Sequence, residues 1–279
     1  MPVKKYKPTT PGRRNMSVVD YSHLSDTKPL KSLTKGKKAG SGRNNQGRIT
    51  VRHRGGGVKR LYRVIDNKRY DKLDIPAVVK TVEYDPNRTA FISLLVYADG
   101  EKRYIISPEG LEEGMNIICS AKAKIKIGNR MELRSIPIGF DLHDVEIKPK
   151  KGGQVARSAG SSAKLTSLDG DMAQVMLTSG SVRYVSKDCF ATIGIVSNVD
   201  HGNVKVGKAG RKRLMGRRPQ VLGKSMNAAD HPHGGGEGHT AIGPKTPKTP
   251  WGAPALGVKT RKSKKYSDHL IIKGRRKKK

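Results

Sequence analysis

Three histidines fall within nine residues, His231, His233 and His239, with Asp230 before the first and Glu237 before the last. This is the densest group of chemistry-bearing side chains in the sequence. A His-x-His pair with a third His and a carboxylate has the donor types of a zinc site. A histidine beside an acid is also a candidate general base. The spacing argues against both readings. A structural zinc site takes four ligands held by further contacts, yet Gly234, Gly235 and Gly236 separate the pair from the rest, and neither Cys119 nor Cys189 is near in sequence. For catalysis no nucleophile accompanies His231, and adjacent residues such as Asp230 rarely orient one another well. No metal, no cofactor and no enzymatic activity are expected; His231 stays the one catalytic candidate.

The stretch 227–239 has four glycines, one proline and almost no apolar residues. It cannot drive its own burial, and no regular helix or strand holds it. It is therefore a spacer, or a loop given its shape from outside the chain. The elements around it decide between these.

The 279 residues allow about two ordinary domains. Net charge is +34, and aromatic residues make up only 5%, so one compact core does not take in the whole chain. The charge is uneven. Residues 1–60 hold 16 Lys and Arg against 2 acids, residues 61–200 hold 20 against 18, and residues 201–279 hold 21 against 3. A nearly neutral body between two basic arms calls for a polyanionic partner, and nucleic acid is the usual one. No run reaches the ~20 apolar residues of a membrane span, and Met1 to Tyr6 has no apolar signal core. The expectation is a cytoplasmic protein with no membrane partner and no homo-oligomer, its two cysteines buried as free thiols.

Four segments follow. Residues 1–60 read as a basic arm that is extended until a partner orders it, since Pro8, Pro11 and Pro29 break any period. Its second half carries an RNA-suited motif. Arg43, Arg48, Arg52, Arg54 and Lys59 supply cations, Asn44 and Asn45 directional amides, and Gly55, Gly56 and Gly57 a backbone that can approach closely. His53 adds a ring donor. Residues 61–125 alternate β-branched and polar residues. Strands are expected at 78–84, 89–97, 102–106 and 115–119, with a hairpin turn at Asp99-Gly100. Residues 126–200 form a second β unit, with strands at 172–178, 181–186 and 193–199 and a turn at Ser179-Gly180. Loops 150–154 and 157–162, with Arg157, are candidate RNA-facing loops. Residues 201–279 are a basic extension. Lys208, Arg211, Arg213, Arg217 and Arg218 sit in one or two helical turns stopped near Pro219, and Trp251 lies among four prolines as a stacking anchor. The fold class is all-β: two small barrels between long basic arms.

The order of these features resembles the bacterial large-subunit ribosomal protein L2 family. The resemblance rests on Gly42-Arg43-Asn44-Asn45-Gln46-Gly47-Arg48-Ile49-Thr50 with Arg52-His53-Arg54-Gly55-Gly56-Gly57, on Ala156-Arg157-Ser158-Ala159-Gly160, on Gly207-Lys208-Ala209-Gly210, and most of all on Met226-Asn227 with Asp230 through Gly238. Thr249-Pro250-Trp251-Gly252 and the Lys/Arg terminus extend it to the whole chain. Two positions depart from the pattern: Val58 stands where the family often has His, and Asn67 where it has Phe. The resemblance implies an OB-fold barrel, then an SH3-like barrel, with the arms threaded into large-subunit rRNA. It implies contact with small-subunit rRNA at an intersubunit bridge and with neighbouring ribosomal proteins. It also implies support of tRNA binding and of the peptidyl-transferase region. It puts Arg43, Asn44, Asn45, Arg48, Arg52, His53 and Lys59 in the RNA-binding motif. His231 takes the position of a histidine once suspected in peptide-bond formation, where the accepted catalyst is RNA. The alternative without the resemblance is a general nucleic-acid-binding protein; the absence of a helical reader motif and the OB-like units favour RNA. Asn227, His233 and Gly234 to Gly236 complete the expected contacts.

Overall fold

The computed structural model describes residues 3–236, 238, 240–262 and 264–275. The strands in chain order are β1 (Val3–Lys5), β2 (Ser17–Val19), β3 (Thr34–Gly36), β4 (Leu61–Arg63), β5 (Ala77–Glu83), β6 (Ile92–Tyr97), β7 (Lys102–Ile106), β8 (Asn116–Ile117), β9 (Arg130–Glu132), β10 (Asp141–His143), β11 (Ala163–Asp169), β12 (Met172–Met176), β13 (Val182–Ser186), β14 (Phe190–Ile193) and β15 (Ile271–Lys273). The α-helices are short: α1 (Pro11–Arg14) and α2 (Ala209–Leu214). The protein is all-β, as its alternating pattern requires. Its contacts form two compact units. One, the β unit, comprises Met1–Lys38, Lys59–Ala209 and His269–Lys279; the other, the basic unit, comprises Ala39–Val58 and Gly210–Asp268.

The β unit is built on two curled sheets. The first, OB-like, has the order β7-β6-β5-β8; the second, SH3-like, has the order β15-β13-β12-β11-β10-β14-β9. Single bridges from Leu73 to Cys119 and from Cys119 to Arg130 carry the edge of the first towards the second. Both long hairpins use one device. Tyr97 and Leu177 donate their N–H to Glu101 and Ser181 and accept from Gly100 and Gly180, at 2.8–2.9 Å. The two glycines sit at φ +83° and +78°, which only glycine adopts freely. In β5 the register shifts between Val79 and Thr81, and the extra residue, Lys80, faces solvent. The bulge reverses the facing of the residues after it, and Thr81, Val82 and Glu83 are all buried because both faces are covered: Val82 joins one cluster, while Thr81 donates to Glu83, which accepts from the Tyr104 hydroxyl on the other face.

Both faces of the first sheet are covered. Phe91, Leu95, Val79 and Ile105 pack on one side with Val19. Ile92, Leu94 and Tyr104 pack on the other with Leu30 and Leu33. This corrects the expectation of an extended N-terminal arm. Residues 3–38 form β1 and β2, paired antiparallel, and their few apolar side chains complete the barrel's core. Ser17 ties in at long range, donating its N–H to the Lys205 carbonyl at 2.9 Å. The strand expected at 193–199 is instead Phe190–Ile193, because Gly194 turns away at φ +109°. Strands β9, β10 and β11 were not expected. Lys164, Thr166 and Ser167 give β11 a polar outer row that hides its period. Asn67, at the second departure from the family pattern, accepts the Gly153 N–H through its carbonyl at 2.9 Å. Both cysteines are buried free thiols.

His143 in β10 is fully enclosed. Its Nδ1–H donates to the Gly194 carbonyl at 3.0 Å, and burial, helped by Arg69 and Arg130, pushes its pKa from the ordinary 6.5 down to about 3. The folded protein keeps the imidazole neutral while the unfolded chain protonates it. The stability this contributes is complete above about pH 6.5 and is lost as pH falls towards 3, at up to about 1.4 kcal/mol per pH unit. Urea unfolding of His143→Gln between pH 4 and 6 is expected to show a pH slope shallower than wild type by about one proton.

Candidate nucleic-acid interface

The basic unit gathers most of the residues that the sequence marks. It holds 17 Lys and Arg against 3 acids. Of the marked residues only Lys59, Arg157 and Lys208 lie elsewhere, in the β unit. Segment 42–51 is a closed turn. Gly42 accepts the N–H groups of Thr50 and Val51 at 2.9 and 3.1 Å, and Arg43 bridges Ile49. The Asn44 side chain is spent on this turn, because its Oδ1 accepts from the N–H of Gln46 and Arg48 at 3.0 and 2.9 Å. Asn45 and Arg48 remain exposed on the rim.

Segments 53–58 and 214–218 pair through main-chain atoms, though about 160 residues separate them. Arg218 N–H donates to His53 at 3.1 Å, Gly55 to Gly216 at 3.0 Å and Val58 to Leu214 at 3.0 Å. Gly57 is needed for this approach: a Cβ there would stand 3.0 Å from Gly216 Cα. Val58, at the first departure from the family pattern, thus contributes its backbone while its side chain is exposed. Helix α2 carries Arg211 and Arg213 and stops at Leu214. The stop is Gly216, at φ +87°, rather than Pro219. Trp251 sits at the tip of a proline-rich hairpin closed by Thr249 N–H to Ala253 O at 2.7 Å. The ring is 78% exposed, and the Arg52 guanidinium lies 5.1 Å from its centre.

The 226–236 loop differs from a chain shaped only from outside. Asn227 accepts from the N–H of Asp230 and His231, Gly234 donates to His231, and Gly235 donates to Met226. His231 is nearly buried and its Nδ1 accepts the His233 N–H at 3.0 Å; His233 Nε2 accepts the Lys248 N–H at 2.9 Å. The two rings lie 4.8 Å apart. Both histidines are therefore acceptors that fold the loop, and a neutral His231 keeps its proton on Nε2. The glycines serve internal packing. A Cβ on Gly223 would meet the His231 ring at 2.6 Å, one on Gly234 the Asn227 oxygen at 2.3 Å, and one on Gly236 the Thr240 hydroxyl at 2.0 Å. The role of Gly223 had no signal in the sequence. Gly234→Ala is expected to speed hydrogen exchange at the Gly235 amide by roughly tenfold or more, the loss of one main-chain hydrogen bond, while leaving the urea midpoint of the β unit unchanged.

Arg157 is partly withdrawn from any outside partner. It donates to Gly153 O at 3.2 Å and lies 3.5 Å from Asp144. The loop after it is tied down by Ala159 N–H to Thr89 Oγ1 at 3.0 Å. Among the described residues no three His, Cys, Asp or Glu side chains come together in a way that could hold a metal ion. Glu237 and His239, named in the zinc reading, and the last four basic residues lie outside the described residues.

What these parts can do is bind a polyanion. Four arginines on one paired scaffold, an exposed tryptophan and a stiff glycine loop offer guanidinium forks to phosphates and a ring to bases. Comparison with protein families gives two matches. The model of the RNA-binding N-terminal domain of ribosomal proteins L2 covers residues 30–119, and that of their C-terminal domain covers residues 126–252.

Proposed function

The chain belongs to the ribosomal protein L2 family, and on that premise we propose that it is a primary binder of large-subunit (23S) rRNA whose basic unit makes the main contacts. The family places it in the large ribosomal subunit as a structural, RNA-binding component. The observation that carries the finer reading is the pairing of segments 53–58 and 214–218, which joins two separate arginine clusters on one main-chain scaffold. Arg43, Asn45, Arg48, Arg52, His53, Arg54, Arg211, Arg213, Arg217 and Arg218 supply the contacts, with Trp251 as a stacking ring. Asn44, Asn227 and the loop glycines shape the backbone that presents them. Lys59, Arg157 and Lys208 extend the contacts over the β unit. In the ribosome of the cytoplasm the protein supports subunit association through small-subunit rRNA, tRNA binding and the peptidyl-transferase region, beside neighbouring ribosomal proteins. Its working divisions are the barrels 61–125 and 126–200, with residues 3–38 packed on the first, and the basic segments 39–60 and 201–279 that carry most of the arginines.

Binding measured from 0.05 to 0.5 M salt against large-subunit rRNA and against duplex DNA of equal length tests this. A preference for rRNA that persists at the highest salt is expected; equal loss on both would reduce the protein to a general polyanion binder. His231 acts here by holding the loop and not as a catalyst. Ribosomes rebuilt with His231→Ala that assembled and bound tRNA normally yet lost the chemical step would refute that.

A further inference from the structure

We infer that a cavity within the basic unit receives one extruded, unpaired nucleotide, its phosphate among arginines and its base against Ile49 and Val51. The inference deepens the RNA-binding reading above and rests on it. The cavity measures about 520 Å³, and its walls include Arg43, Arg52, Arg54 and Arg218 together with Ile49 and Val51. That volume falls in the range of pockets for single small molecules, about 300–1,000 Å³, and is far too small for a duplex segment.

The two kinds of lining select the ligand. No acid lines the cavity, and among the described residues no carboxylate pairs with these four arginines. Their mutual repulsion is relieved by a phosphate, which a guanidinium grips through two parallel hydrogen bonds. A phosphate alone would leave Ile49 and Val51 wet; they are 58% and 48% exposed. A base covers both, and its flat face asks for contact rather than for a particular sequence.

The walls are fixed before any ligand arrives. The main-chain pairing of 53–55 with 216–218 forms one side, and His53 and Gly56 bend the other through left-handed conformations at φ 58° and 64°. A rigid recess of this size does not open a helix. The nucleotide is one already free of pairing, in a bulge or loop, where extrusion costs least.

Ultraviolet crosslinking of the full chain to purified large-subunit rRNA, read by mass spectrometry, tests the inference together with the cavity-filling variant Val51→Trp. In the wild type, peptides spanning 49–56 are expected to carry a nucleotide that has no pairing partner. Val51→Trp is expected to lose that crosslink and to weaken rRNA binding tenfold or more, with the salt slope unchanged because no charge is removed. Crosslinks confined to paired nucleotides, or a Val51→Trp protein that binds as the wild type does, would overturn the inference and leave the RNA-binding reading standing. A wild type that prefers rRNA no more than duplex DNA would instead sink the reading on which it rests. If circular dichroism shows that Val51→Trp does not fold, the wild-type crosslink decides alone.

Discussion

Replacing Arg52, Arg54, Arg217 and Arg218 together by glutamine will weaken binding to large-subunit rRNA by about 10³-fold near 0.15 M salt. Each guanidinium that neutralises a phosphate releases condensed counterions, and each contact adds about 0.7–0.9 to the slope of log K against log salt. Four contacts give a slope shallower by about 3–3.6, and between ~0.15 M and 1 M salt that amounts to roughly two and a half to three decades. The loss should shrink as salt rises and nearly vanish near 1 M. Glutamine keeps part of the stem and a hydrogen-bonding head. The scaffold beneath it is held by main-chain bonds of Gly55, Val58 and Arg218, which the change does not touch. A lowered affinity with an unchanged salt slope would mean that these arginines do not face phosphates and act through the unit's shape instead. Filter binding over a salt series separates the two results.

The sequence carried the parts of this interface but not its assembly. Arg52 to Gly57 and Arg211 to Arg218 stand out by composition, because closely set guanidiniums and glycines serve few purposes other than holding phosphate. Their pairing was illegible, since it runs through main-chain atoms that leave no side-chain signature across about 160 residues. The hairpins at Gly100 and Gly180 were legible for the opposite reason: each is a local turn whose positive φ demands glycine. The N-terminal segment gives no sign of its packing because Val19, Leu30 and Leu33 are single apolar residues with no period. Their burial comes from a distant sheet face that only the fold supplies. The histidine loop shows a third kind of limit. Residue types marked His231 and His233 as chemically able, but their use as backbone acceptors depends on Lys248 and Gly223, which no spacing rule connects to them.

The β unit makes the strongest demand on a buried charge pair, and Glu146→Leu is expected to lower its unfolding free energy by about 3–5 kcal/mol in urea titrations. Arg130 and Glu146 are both fully enclosed, with Arg130 Nη2 donating to Glu146 at 2.9 Å. Glu146 also accepts from the Tyr70 hydroxyl, whose pKa burial and this carboxylate hold above its ordinary value, and from the N–H groups of Gly152 and Phe190 at 3.1 and 3.3 Å. Arg130 has weaker second partners, the Asp144 carbonyl at 3.0 Å and its carboxylate at 3.4 Å. The two ends of the pair are therefore unequal. Arg130→Met leaves a carboxylate with three donors and should cost less than Glu146→Leu, which strands a buried cation and three donors together. The double variant should be more stable than Glu146→Leu alone, since it removes the stranded cation. It should still fall below wild type, because Tyr70, Gly152 and Phe190 keep no acceptor, at about 1–3 kcal/mol for each lost partner. A double variant no more stable than Glu146→Leu would show that Asp144 and the Thr192 hydroxyl, 3.3 Å from Arg130 Nη1, satisfy Arg130 without Glu146. Arg130 pairs with Thr192 of β14 on one side and bridges Cys119 of the first barrel on the other. The same cycle therefore measures how much of the joint between the two sheets depends on charge rather than on packing.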